Sequence, residues 1–513
     1  MLKLFLRLLI VCVFLSSQAG CVLRSITASE SKVEVPAHGY GTLARFPFKE
    51  AWYGMYFKED KVGYSHFRIE PSGENFTISS DSIMRLTAMK KTNEVLMRER
   101  VDVRPDLTLM AFSSRVDMNG RQLDMKGAVK DGKFVVNIKV DGESLSREFP
   151  IEGKLYHSSA ISLMPALVGL QDGKTHSFAV FNAEKQDVER VEQHIWTVAG
   201  SPGPKGAIWN VKNSFGKSVI RSWLDKKGLT VLEKALDGSL ITLLEDRETA
   251  EQFLKKKAQG KDLVLDFSLI KVAKPIPNPE RARFLQVQVR GIDPSLIAQD
   301  HRQRVTVSSP QQQDGRFDVS VQVEDPMTRR DGKNRAAVGE PIQASLKPDL
   351  SDPVSHEHLA ATVAIPSDHE EIVEQARQIV SPQDSDFEKV EKLVRWTSEN
   401  IRGTMKDSFT ALSVLRSREG ECQSHAGLYT ALARSQKIPT RQVTGLVYTD
   451  NVGFLYHAWA ESYVNGWIAV DPTLNQLPAD ATHIKIAAAD ESHETASLLR
   501  MIGNVKLEVV EVR

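Results

Sequence analysis

Three residues that could do covalent chemistry together occur in the order Cys422, His457 and Asp471. A thiol nucleophile needs a base to take its proton and a third group to hold that base in the right tautomer, and this order supplies all three. The chemistry would be acyl transfer. The thiolate attacks an amide carbonyl, an amine or ammonia leaves, and a thioester remains. Each residue also has an ordinary reading. Cys422 could be a small buried apolar group, His457 a half-buried strand histidine, and Asp471 the start of a turn with Pro472. The joint occurrence favours the chemical reading.

The cysteines narrow it further. The chain has three, Cys12, Cys21 and Cys422. Lys3 and Arg7 precede an apolar run, Leu8 to Leu15, followed by Ser16-Ser17-Gln18-Ala19-Gly20-Cys21. This is a secretory signal pattern, too short to span a bilayer as a helix. Ala19-Gly20-Cys21 resembles the end of a bacterial lipobox, with Gln18 departing from it where an aliphatic residue is usual. An exported chain is therefore expected, periplasmic or at the cell surface. Lipidation of Cys21 would anchor it to a membrane, and plain cleavage is the alternative. Cys422 is then the one thiol of the folded body. An unpaired thiol in an oxidising compartment is a liability unless it acts.

The elements that must position these side chains can be read locally. Cys422 opens a helix through Leu428, Leu432 and Ala433, expected to be amphipathic and to end near Lys437. There the orphan N–H groups and the dipole favour a thiolate, and Gly420 lets the chain enter. Ile438-Pro439-Thr440 leads to a strand, Arg441 to Tyr448, and then to a second that carries His457. Asn465-Gly466 reads as a two-residue hairpin turn before Trp467 to Asp471. That tight register offsets His457 and Asp471 by about three positions, so a slip or a bulge would be needed to join them.

The rest of the 513 residues is expected to divide as a signal segment (1–21), a tether (22–47), an antiparallel β-rich domain (48–270), a small β-module (271–348) and a catalytic domain (349–513). In the β-rich part, Trp52 to Phe57 and Val62 to Ile69 read as a hairpin. Short strands follow at Phe134–Val140, Ala207–Val211, Ser218–Leu224 and Leu229–Leu232, with turns at Asp131-Gly132, Asp141-Gly142 and Asp237-Gly238. The pattern suggests a large antiparallel sheet or curved half-barrel, with a helical insertion around Ser159–Leu170. Asp246 to Lys257 reads as a solvated helix. Beyond Pro275, Pro277 and Pro279, strands are expected at Phe284–Val289, Arg304–Val307 and Phe317–Val323. Helices follow from a Ser367-Asp368 cap to Val380, from Asp386 to Asn400, and from Thr410 to Arg416. Lys plus Arg equals Asp plus Glu at 66 each, so nothing points to a nucleic-acid partner.

Four ordered segments are similar to the core motifs of the transglutaminase-like superfamily: Gly420-Glu421-Cys422, Arg441 to Gly445, His457-Ala458-Trp459-Ala460-Glu461, and Gly466-Trp467 to Pro472-Thr473. The helix around Trp396 and the segment Asp480-Ala481-Thr482-His483-Ile484 resemble bacterial members. The resemblance covers roughly residues 350–490. It implies a papain-like α+β core, with Cys422 as nucleophile, His457 as base and Asp471 as acid. Papain-like enzymes also use an upstream Gln as oxyanion donor. None lies between Gln383 and Cys422, which leaves the Cys422 backbone N–H. Gln423, Trp459 and Glu461 are candidates for the oxyanion site or for supporting the triad, and His425 is a rival base. No metal cluster, calcium loop or cofactor motif is apparent. The expected function is an extracytoplasmic peptidase or amidase acting on a protein or peptide. The alternatives are glutamine cross-linking, or a non-enzymatic scaffold whose β-rich domain binds a cell-envelope partner.

Overall fold

The computed structural model describes residues 35–88, 91–118, 121–140, 143–183, 187–198, 206–215, 218–235, 238–255, 269–307, 315–323, 354–404, 410–449, 453–488, 501 and 504–513. The signal segment with Cys21, the turn Asp141-Gly142 and the boundary near 349 lie outside the described residues. The chain divides into two compact units between Leu263 and Val264.

Among the described residues, the first unit is built on one sheet of fifteen strands. The strand Glu50–Phe57 sits inside the sheet, between Asp60–Ser72 and Leu240–Glu245. From it the chain meanders to one edge at Glu143–Pro150, crosses to Leu155–His157 at the other, and meanders back. Neighbours are antiparallel except Leu155–His157 beside Thr175–Asn182. The expected hairpin and short strands are present, several longer than their apolar runs. The strand Asn75–Ala88 carried no sequence signal because its inward positions include buried serines. Ser82 Oγ donates to Ser65 Oγ at 2.8 Å on the neighbouring strand. The expected insertion is a 3₁₀ turn, Ser158–Ala160, and a short helix, Met164–Val168. The helix after Asp246 spans Arg247–Lys255, and Asp246 Oδ1 caps the Thr249 N–H at 2.7 Å.

Two expectations are corrected here. Residues 35–47, read as tether, pack into this unit: Tyr40, Leu43 and Phe46 are buried, and the Tyr40 and Phe46 rings lie 5.4 Å apart. Glycines at 39 and 41 had masked that apolar spacing. Ile270, assigned to the β-rich domain, belongs to the second unit. It exchanges two backbone hydrogen bonds of 2.9 Å with Phe454.

In the second unit the expected strands β1 (Phe284–Arg290), β2 (Gln303–Thr306) and β3 (Phe317–Gln322) form a small sheet. The helices are α1 (Glu370–Ile379), α2 (Asp386–Asn400), α3 (Ala411–Ser417) and α4 (Cys422–Ser435). The cap of α1 is His369, whose Nδ1 accepts the Glu371 N–H at 3.2 Å. Ser367 and Asp368 form the turn before it. On α2 Ser385 and Glu388 form a capping box that fixes its start. A second sheet runs β6 (Trp467–Val470), β5 (Gly453–Tyr463), β4 (Thr440–Thr449), β7 (Ile484–Ala488). A final strand, β8 (Lys506–Val512), pairs with β1 and completes the small sheet.

Helix α4 is not amphipathic: every residue from Ser424 to Arg434 is buried. It lies between β4 and β5 on one side and α1, α2 and α3 on the other. Its small residues allow this close approach, and a Cβ on Gly427 would come 2.9 Å from Gln442 Nε2. Gly445 on β4, opposite His457, is tighter still. A Cβ there would stand 2.1 Å from the Ile484 carbonyl oxygen and 2.5 Å from the Trp459 ring. Gly445→Ala is therefore expected to cost about 1–3 kcal/mol, read as a lowered urea midpoint.

Candidate active site

Cys422 is the first residue of α4, entered through Gly420 and Glu421. Only glycine fits at 420, where a Cβ would lie 2.3 Å from the Ser424 Cβ. The Cys422 thiol is partly exposed, and its S–H reaches Glu421 Oε2 at 3.3 Å. Its sulfur also lies within hydrogen-bonding reach of His457. His425, the rival base, is buried with Nδ1 3.0 Å from the Glu421 carbonyl and Nε2 3.0 Å from the Ile401 carbonyl. Both its nitrogens are committed to the fold.

The hairpin brings His457 and Asp471 together without a bulge. Tyr463 pairs with Trp467, so Val464, Asn465 and Gly466 form a three-residue loop rather than the expected two-residue turn. Asn465 and Gly466 take the positive φ values, 55° and 136°. His457 stands six positions before Tyr463 and Asp471 four after Trp467, which puts both side chains on one face as diagonal neighbours. His457 Nε2 lies 2.7 Å from Asp471 Oδ2. This leaves Nδ1 for the sulfur.

Asp471 divides its carboxylate between two tasks. Oδ1 accepts the N–H groups of Thr473 at 2.7 Å and Leu474 at 3.0 Å, which is the turn role expected beside Pro472. Oδ2 faces His457 and also His483, whose Nε2 is 3.0 Å away. His483 is buried, and its Nδ1 stands 3.2 Å from Asp480 Oδ1. Sequence reasoning matched the Asp480–Ile484 segment to bacterial relatives but gave His483 no role. The available signal was a histidine three residues after an aspartate in a tight turn.

Of the other candidates, Trp459 is buried against both rings, its centroid 6.3 Å from that of His457 and 5.1 Å from that of His483. Glu461 belongs to a separate ion cluster. It accepts Arg441 Nε at 2.9 Å and Lys485 Nζ at 2.8 Å. Burial opposes its charge, but Lys485 and Arg441 hold it down to about 2. Gln423 is half-buried in the first turn of α4.

Among the described residues, donor atoms of His457, Asp471 and His483 lie within 4.8 Å of one another, a set that could suggest a metal. Two tetrahedral zinc ligands would stand about 3.3 Å apart, given Zn–N and Zn–O distances near 2.0–2.1 Å. Here both imidazoles hydrogen-bond one oxygen directly, at 2.7 and 3.0 Å. These contacts have the lengths of hydrogen bonds rather than the spacing of tetrahedral zinc ligands.

Residues 373–472 match the family profile of the transglutaminase-like superfamily. This segment is a transglutaminase-like domain. The match supports a cysteine-dependent enzyme in general. No curated protein matches the chain. Among solved structures, a protein of Cytophaga hutchinsonii provisionally named a cysteine protease shares 17% identity over 45% of this chain and 85% of its own, with a TM-score of 0.26. A β-barrel-like protein of unknown function from Brucella abortus shares 14% over 38% of this chain and 95% of its own, TM-score 0.29. A provisionally named protease of Parabacteroides distasonis shares 12% over 69% and 64%, TM-score 0.18. Likenesses this low say nothing of activity.

Electrostatics set a pH window for the transglutaminase-like domain. Burial disfavours a charged His457, but Asp471 and the Cys422 sulfur outweigh it and push the ring up to about 10. Burial likewise opposes the Asp471 carboxylate, yet His457 and His483 hold it far below the usual range. A base raised from its ordinary 6.5 stabilises the fold fully below that pH, and the gain is lost as pH climbs toward about 10. The depressed carboxylate contributes above its ordinary 3.8. The urea-midpoint gap between wild type and Asp471→Asn should therefore be widest between these two pH values and narrow toward pH 10.

Proposed function

We propose that the protein is an extracytoplasmic acyl-transfer enzyme, a peptidase or amidase that cleaves an amide through a Cys422 thioester. The observation that carries this reading is the continuous line from sulfur to imidazole to carboxylate, with Nε2 of His457 tied to Asp471 and its other face toward Cys422. The Cys422 thiolate adds to the carbonyl carbon, His457 gives its proton to the departing nitrogen, and the C–N bond breaks. Water then adds to the thioester, His457 takes its proton, and the thiolate leaves. The Cys422 N–H at the start of α4 is available to the developing oxyanion. An aqueous acceptor gives hydrolysis, whereas a lysine amine would give cross-linking.

Alkylation of Cys422 across pH tests the reading. Alkylation at neutral pH much faster than that of a free thiol is expected, with a loss of roughly 10²-fold or more in His457→Ala. Slow labelling, equal in both proteins, would favour a scaffold. Turnover of peptide amides is expected to fall about 10²–10⁴-fold in Asp471→Asn, and dansyl-cadaverine incorporation into a glutamine protein would move the assignment to cross-linking. Export and anchoring are part of the proposal and stand on residues 1–21. Cys21→Ser should move the protein from the membrane to the soluble fraction of a bacterial host, and an unchanged distribution would remove the lipid anchor.

A further inference from the structure

The Asp471–His483 contact is one side of a closed ring of hydrogen bonds. Asp471 and Gln476 exchange two backbone bonds, 2.9 and 3.0 Å. The Gln476 side chain donates to Asp480 Oδ2 at 2.8 Å and accepts the Asp480 N–H at 3.0 Å. Asp480 Oδ1 takes the Thr482 N–H at 2.7 Å and its hydroxyl at 2.6 Å, and faces His483 Nδ1. His483 Nε2 then returns to the Asp471 carboxylate. The Trp459 ring covers the edge of His483 at an interplanar angle of 84°.

The small β-sheet grips this ring from outside. Arg302, next to β2, donates to the carbonyls of Ala479, at 2.9 Å, and of Asp480. Gln303 donates to the Lys485 carbonyl at 2.6 Å and accepts its N–H at 2.8 Å. Lys485 Nζ bonds Asp300 at 3.1 Å as well as Glu461. The segment bearing His483 is thus held on both sides by residues about 180 positions earlier, as the sequence separations of 177 and 182 show.

Two buried carboxylates and two imidazoles are a poor way to stabilise a core, since apolar side chains of the same volume commonly do as well or better. Such a network does restrict geometry. His457 must donate to Asp471 while its other nitrogen deals with sulfur and substrate. A carboxylate held on that same oxygen by a second imidazole cannot follow the moving ring.

We propose that His483 is a positioning residue of the acyl-transfer site: its Nε2 clamps the Asp471 carboxylate that orients His457, and Asp480 and Arg302 hold the clamp. The role rests on the function proposed above, but its test does not depend on turnover. In full-length protein labelled with ¹³C at histidine Cε1, the His457 signal is assigned by its loss in His457→Ala and titrated. His483→Phe removes the donor, and the His457 midpoint is expected to fall by about one unit or more, as for an imidazole that has lost a fixed carboxylate. His483→Gln keeps an N–H donor and should restore the wild-type midpoint. Arg302→Met should lower it in the same direction with His483 intact.

Equal midpoints in wild type and folded His483→Phe overturn the proposal, as does a fall in His483→Gln as large as that in His483→Phe. If His483→Phe does not fold, by circular dichroism, the Gln and Met variants decide: a wild-type midpoint in Arg302→Met overturns the clamp. Cys422 alkylation in the wild type separates the two ideas. Fast, His457-dependent labelling with unmoved midpoints sinks the clamp alone, and ordinary labelling sinks the catalytic reading and the clamp's purpose with it.

Discussion

The buried Asp471 carboxylate is the point on which the second unit turns. It lies out of water, which by itself would drive it toward the neutral form. It stays ionised because every lone-pair direction is occupied: two backbone N–H groups on Oδ1, two imidazoles on Oδ2. Those four donors come from three pieces of local structure. The turn after β6 supplies the amides, β5 supplies His457, and the segment before β7 supplies His483. The sheet order β6-β5-β4-β7 places β6 and β7 on either side of the β5–β4 pair, and Gly445 lets β7 and the Trp459 ring come close enough for the far imidazole to reach.

The helix that carries Cys422 is subject to a related constraint. A helix start is useful to a thiolate only if the chain can enter it cleanly and the helix cannot shift. Gly420 meets the first condition, and burial of α4 on all sides meets the second. The cost is that the helix interior must be small, which accounts for Ala426, Gly427, Ala431 and Ala433. Those residues look like weak amphipathicity in sequence. In the structure they let a strand layer and a helix layer approach one helix from opposite sides.

Much of the site was legible because its elements are local. The cysteine at a helix start, the Asn-Gly before Trp467 and the Asp-Pro after β6 each signal their structure within a few residues. Asp471 gives one oxygen to the turn and the other to His457. What stayed hidden depends on distant pairing. Register decided whether His457 and Asp471 share a face, and turn chemistry alone favoured the wrong offset. His483 meets Asp471 only after the chain has passed through a turn and returned to β4. In the first unit, the buried serines Ser80 and Ser82 broke the alternation that marks a strand. The Tyr40–Phe46 segment was hidden by its glycines.

The hairpin between His457 and Asp471 separates what drift can alter from what it cannot. Register is held by the paired arms, from Ala460 to Tyr463 and from Trp467 to Val470, while the tip between them is closed by one bond, from the Val464 N–H to the Gly466 carbonyl at 2.9 Å. Adding or removing a residue at the tip leaves both arms in step. A single residue gained within either arm turns imidazole and carboxylate to opposite sides of the sheet. Among descendants of this sequence, tip length can wander freely, whereas the arms tolerate change only in pairs of residues.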